Sequence, residues 1–283
     1  MAQFRIERLR SRLWGALLCA CVIAQGAPRA GAEIWVLDAR GTVYVAEEAG
    51  PELGAAGGSD PALAMREALQ LGSQLTDIAF GPDGRLYGVS STELFEVDLG
   101  DGALRPIAPH GAPCGNALEI DGAGVAHVMG CSSTFLLRLD SKTGAPLGAV
   151  QIGYASSGDL AFHGDRGLLL TALAPEGDLG GDFGGDRGGD DRLVAIDIGE
   201  GRGAVGARDL GSIGRVGVYG LAVSDRWGVV MGVGRTLIAL GDAGDQTPLG
   251  EFDGAPIFGL AVRRGLADVA LVKTAPTQPL ARF

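Results

Sequence analysis

Two aspartates hold the same place in a repeated segment. Asp77 lies in LTDIAF (75–80) and Asp159 in SGDLAF (157–162). Asn116 stands one residue before the aligned Ala117 of GNALEI, and Tyr219 and Phe258 hold that place in VYGLAV and IFGLAV. Two carboxylates, an amide and two aromatic rings gathered at one mouth of a channel can hold a cation or a small polar ligand. A plainer reading competes: short Asp side chains often accept backbone amides at strand starts. That habit favours the plainer reading.

A second acidic feature is the run GDLGGDFGGDRGGDD, within an insertion over 175–191. It repeats Asp every fourth residue, at Asp178, Asp182, Asp186 and Asp190, and adds Asp191. Clustered carboxylates beside glycines, whose carbonyls turn freely, suit Ca2+. The run matches neither the EF-hand loop nor the nonapeptide calcium repeat, and a flexible solvated loop is the simpler expectation.

Cys114 and Cys131 lie symmetrically about a proposed hairpin turn, Asp121-Gly122-Ala123-Gly124. Residues directly opposed in an antiparallel hairpin are close enough to bridge, and an exported compartment favours oxidation. A Cys114–Cys131 disulfide is therefore expected. Two cysteines and the scattered His110, His127 and His163 show no zinc-ligand spacing. Gly-x-Ser-x-Gly does not occur, and His110 and His163 read as surface residues in a loop and a turn.

The elements that must position these residues begin after residue 32. Before it, Arg5, Arg8, Arg10 and Arg12 precede an apolar run, Trp14 to Ala24, and an Ala30-Gly31-Ala32 site. That layout is a secretory signal peptide, with an uncleaved anchor or a lipoprotein signal ending at Cys21 as alternatives. The full chain carries −11, and losing the five Arg and one Glu of this segment leaves −15. Only two lysines remain, Lys142 and Lys273. So anionic a protein is a poor partner for nucleic acid or an anionic membrane, and no membrane span is expected once the signal is removed.

The rest of the chain is short apolar alternations broken by Gly and Asp turns, an all-β pattern. Five segments match one another, anchored on Asp77, Ala117, Asp159, Gly220 and Gly259. Each of the first four leads to a turn, a second strand, a third and a weaker fourth. Units of roughly 40–45 residues with four strands have the period of propeller blades. The expectation is one all-β domain over 33–273, a β-propeller of five four-stranded blades, with a tail over 274–283. A sixth blade could hide in 49–74. That stretch reads instead as a loop carrying a short helix, with Asp60 as its cap and Pro61 in its first turn. Ring closure is expected to join two N-terminal strands, IWVLD and TVYVAE, to two C-terminal ones, IFGLAV and DVALV.

The segments LTDIAFGPDGRLYGVSSTELFEVDLGDG and LLRLDSKTGAPLGAVQIG resemble β-propeller repeat proteins of the quinoprotein-like, NHL-like and YVTN-like kinds. Pro146-Leu147-Gly148 stands where quinoprotein repeats place a Trp, and no WD dipeptide occurs. The resemblance implies architecture and not activity. The function expected is an exported, monomeric binding or interaction module for a protein or small polar ligand, without a certain cofactor. An envelope-complex subunit is a variant of that reading. The alternative is a Ca2+-dependent hydrolase like the lactonase propellers, using Asp77, Asn116 and Asp159 at the channel mouth.

Overall fold

The computed structural model describes residues 33–48, 63–164, 166–173, 189–199 and 203–264. Among them there is no helix, and twenty strands form five four-stranded antiparallel sheets. Blade I is β4 (Asp77–Phe80), β5 (Leu86–Val89), β6 (Glu93–Val97) and β7 (Leu104–Pro109). Blade II is β8 (Gly115–Ile120), β9 (Val125–Gly130), β10 (Phe135–Asp140) and β11 (Pro146–Gln151). Blade III is β12 (Ser156–His163), β13 (Gly167–Ala172), β14 (Arg192–Gly199) and β15 (Gly203–Ser212). Blade IV is β16 (Val218–Ser224), β17 (Gly228–Val233), β18 (Thr236–Leu240) and β19 (Gln246–Glu251). Blade V joins the two ends of the chain: β20 (Ile257–Arg263) pairs with β1 (Glu33–Asp38), followed by β2 (Thr42–Glu48) and β3 (Leu63–Gln70).

The chain is a five-bladed β-propeller.

Asp and Gly make its turns. In the β1–β2 turn Asp38 Oδ1 accepts the amides of Arg40 and Thr42, both at 2.9 Å, and Gly41 takes φ +80°. Its other oxygen accepts the amide of Ala255, so one buried carboxylate also fastens the N-terminal strands to the approach of β20. Each gap between neighbouring blades holds one buried apolar cluster. Trp35, Leu37 and Val43 of blade V meet Ile78, Leu86 and Val97 of blade I. On the other side of blade V, Ile34 and Val36 meet Val230 and Leu237 of blade IV. Burying both faces of every sheet while pairing first and last strands removes the inner edges that an open array would expose.

Two expectations are corrected. Closure joins one C-terminal strand to three N-terminal ones: Trp35 lies opposite Ala261 of β20, and TVYVAE is a third strand. The DVALV segment (268–272) lies outside the described residues. The short helix within 49–74 is also replaced, because Leu63–Gln70 is the outer strand of blade V, with Thr42 opposite Gln70 and Ala46 opposite Met65. Its Leu63 and Leu69 are buried in the two clusters flanking that blade. This strand completes the fifth blade, and residues 49–62 lie outside the described residues. The signal segment falls outside the described residues.

The Cys114–Cys131 disulfide is formed, with a Cα–Cα distance of 5.5 Å. Gly115 faces Gly130 but Ala117 faces Met129, so Asn116 is an extra residue in the hairpin. The cysteines stay opposed because they lie outside that bulge, and Cys131 donates its amide to the Cys114 carbonyl at 3.0 Å.

Candidate functional site

The inner strands β4, β8, β12, β16 and β20 surround the axis, and their equivalent residues form layers. At the anchor layer Asp77 and Asp159 are fully buried. Asp77 accepts the amide of Ile78 at 2.8 Å and, across the blade boundary, that of Leu118 at 2.7 Å. Asp159 accepts the amides of Leu160 and Leu221, each at 2.6 Å, and of Leu260 at 3.1 Å. Ile78, Leu118, Leu160, Leu221 and Leu260 are the same repeat position in the five blades. Every inner strand thus sends one amide to the pair. The other anchor residues are Ala117, Gly220 and Gly259, and a Cβ on Gly259 would overlap Asp77 Oδ1.

The two carboxyl groups also hydrogen-bond each other. Ionised carboxylates only accept, so a hydrogen bond between the two requires one of them to be neutral. Burial pushes both well above the ordinary aspartate range, and for Asp77 the neighbouring Asp159 charge adds to it. With three amides against two, Asp159 is the better stabilised of the two as an anion.

One residue earlier, at the start of the inner strands, stand Thr76, Asn116, Gly158, Tyr219 and Phe258. The Tyr219 and Phe258 rings lie 6.1 Å apart, edge to face, and Tyr219 is exposed. Asn116 Nδ2 reaches the Ser156 carbonyl at 3.5 Å, while its buried Oδ1 has no partner. Of the five residues picked from sequence, the structure joins Asp77 to Asp159 and Tyr219 to Phe258. The aspartates are sealed beneath the layer that holds the rings and the amide.

Of the acidic insertion, Asp178, Asp182 and Asp186 lie outside the described residues. Asp190 accepts the Ser212 hydroxyl at 3.0 Å. Asp191 is buried and accepts the amide of Val218 at 2.8 Å, tying the entry of β14 to that of β16; burial pushes it up to about 6. His110 is a correction: it is buried, its Nδ1 accepts the Ala112 amide at 3.0 Å, and its Nε2 lies 3.1 Å from the Ser90 carbonyl. Its imidazole satisfies the loop that leads into blade II.

At the opposite end of the inner strands a cavity of about 490 Å³ opens, walled by Phe80, Glu119, Phe162, Leu221, Leu260 and Arg264 among others. Glu119 sits two residues past the anchor layer. The other four blades carry Ala79, Ala161, Ala222 and Ala261 there. The glutamate is partly open to the cavity yet enclosed by protein around it, and its Oε1 accepts the Phe162 amide at 3.3 Å. Burial pushes its carboxyl up to about 7, against the lowering pull of that amide and of the Arg264 charge.

Its cross-strand neighbour His127 is fully buried, with Nε2 3.2 Å from Asp121 Oδ2 and Nδ1 without a partner. Burial raises Asp121. The His127 hydrogen bond and the amides of Val125 and Ala123 outweigh it and hold that carboxyl below its ordinary range. Phe162 packs edge-on against the His127 ring at 5.4 Å. A carboxylate, two phenyl rings and aliphatic walls around a volume of small-molecule size make a binding pocket.

No protein-family model and no curated protein matches the chain. Solved structures similar to it include a chain of a nidogen/laminin complex, 10% identical over 82% of this chain and 98% of that one, with a TM-score of 0.48. A gluconolactonase from Xanthomonas campestris is 16% identical over 80% of this chain and 79% of its own, TM-score 0.47. TolB from Acinetobacter baumannii is 12% identical over 84% and 68%, TM-score 0.45. At such values the likeness says nothing of ligand or chemistry.

Glu119 was not among the residues singled out from sequence. The signal is present in the alignment of repeats: it is the one charged side chain at a position that is otherwise Ala.

Proposed function

We propose that the protein is an exported binding propeller that takes one small ligand into the cavity at the far end of its inner strands. The observation that carries this reading is Glu119 in place of alanine. A carboxylate at a position the fold otherwise fills with Ala costs stability by desolvation, which the Phe162 amide it accepts offsets only in part. The buried Asp77–Asp159 pair fills the axis behind the pocket, which supports a blind-ended site and not a through-channel. The disulfide and the N-terminal segment support export. A calcium-dependent hydrolase built on Asp77, Asn116 and Asp159 would first have to strip backbone amides from both carboxyl groups, so the binding reading is preferred.

A thermal-shift screen of small amines, carboxylates, sugars and phenols on the purified protein tests it. Gly164 borders the cavity and has open space where a Cβ would stand, so Gly164→Trp obstructs it without a clash. Hits should vanish in that variant. Hits that persist there place the ligand elsewhere and end the proposal.

A further inference from the structure

We infer that the cavity ligand is a cationic amine with an apolar body, its ammonium seated on Glu119. This rests on the binding reading above and gives the ligand its class. An ionised carboxylate offers only acceptors, and Glu119 Oε1 uses one on the Phe162 amide. The titratable and charged groups that share the cavity or the strand register with Glu119 are Arg263 and Arg264 at the end of β20, Asp121 and His127 of the β8–β9 hairpin, His163 at the end of β12 and Asp197 of β14. Of these, Arg264 is the fixed positive charge that acts on Glu119. It is exposed, where water and salt screen it, and Glu119 remains raised despite it. Arg263 is committed elsewhere, 3.7 Å from Glu33 and over the rings of Trp35 and Phe80. A ligand ammonium would supply the close counter-charge the glutamate lacks.

The next layer of the inner strands supplies the rest. It carries Phe80, Ile120, Phe162, Val223 and Val262, all lining the cavity. Phenyl faces favour cations, and the aliphatic members favour a hydrocarbon body. The chain's net negative charge draws cations to it at long range. The donors in these walls, the Arg263 and Arg264 guanidiniums and His163, lie at the mouth of the cavity, beyond Glu119 and the apolar layer, so a carboxylate would meet the Glu119 charge.

Calorimetric titration of the purified protein with three probes that share a phenylethyl body tests the class: 2-phenylethylamine, 2-phenylethanol and 3-phenylpropionate, at pH 8. The amine should bind at least tenfold tighter than the alcohol, and the carboxylate should not bind. Glu119→Gln and Glu119→Ala should each remove that tenfold preference while the protein stays folded by circular dichroism. Between pH 8 and pH 6 amine affinity should fall about tenfold as Glu119 takes up its proton. In Glu119→Gln that dependence should flatten, whereas a dependence that arises outside Glu119 would survive the substitution. Failure of the amine to bind, carboxylate binding as tight, or an amine preference that survives Glu119→Gln would overturn the inference. If the alcohol or carboxylate binds and Gly164→Trp abolishes it, the cavity reading stands and only the amine class falls. If no probe responds to Gly164→Trp, both fall.

Discussion

Asp77 and Asp159 come from blades I and III and meet on the axis, carboxyl to carboxyl, with an amide from each of the five blades bound to one or the other. The pair is a staple through the middle of the ring. Its members are unequal, and their substitution should show it. Asp159→Ala orphans three buried amides and should cost at least about 3 kcal/mol, at about 1–3 kcal/mol for each unsatisfied group. Asp77→Ala orphans two and should cost less. Asp77→Asn keeps a donor towards Asp159 and one acceptor, and should be the mildest. Urea unfolding of the three variants reads the order, and equal, small losses would show that water replaces the carboxylates freely.

Stability should fall as pH rises from about 5 to 8. Asp77 and Asp159 are raised well above their ordinary value, Asp191 to about 6 and Glu119 to about 7. Between the ordinary carboxylate range near 4 and these raised values, the folded chain holds more protons than the unfolded one. The slope of unfolding free energy against pH is therefore negative there, and the contribution is lost as pH climbs through each folded value. Asp121 and Asp209 are lowered, and their contribution disappears only on the acid side of their ordinary range. Tm from calorimetry should peak near pH 5 and decline towards pH 8. A flat or rising profile would contradict the buried, protonated state of the axis.

The repeats were legible because each inner strand carries a recurring apolar hexad and each hairpin an Asp or Gly turn. These are local features that survive without tertiary context. Leu63–Gln70 was not, since Leu-Ala-Met-Arg-Glu-Ala-Leu-Gln is a run of helix formers. It becomes a strand because β2 would otherwise leave its outer edge unpaired, and that demand arises only once the ring closes. The same holds for the contact between Asp77 and Asp159: sequence aligns them, but only a closed ring of five brings them face to face. Glu119 belongs to no motif of its own in the sequence. Its meaning lay in the comparison with four alanines.

The Cys114–Cys131 bridge closes a short loop, with a sequence separation of 17, around the β8–β9 hairpin. A loop of that size contributes about 3 kcal/mol by limiting the unfolded chain. The double variant Cys114→Ala/Cys131→Ala should lose about 2–4 kcal/mol in urea, and its fold should remain, because the Cys131 amide still meets the residue-114 carbonyl. An unchanged midpoint would mean that the bridge constrains nothing the hairpin does not already fix.

Glu119→Ala gives blade II the residue its four sisters carry. At pH 8 it removes a buried charge and leaves the Phe162 amide facing a cavity that admits water, so the net effect should be a gain of about 1 kcal/mol, the size common for repairs of functional compromises. At pH 5 the wild-type carboxyl is already neutral, and the gain should shrink towards zero. The same variant should lose the amine preference at pH 8, whereas at pH 5 wild type and variant should bind the amine alike. Paired urea curves at the two pH values, beside a binding titration, separate this trade from simple damage. A variant that is less stable at pH 8 would show that Glu119 holds blade II to blade III through Phe162, and that its place in the cavity wall is structural.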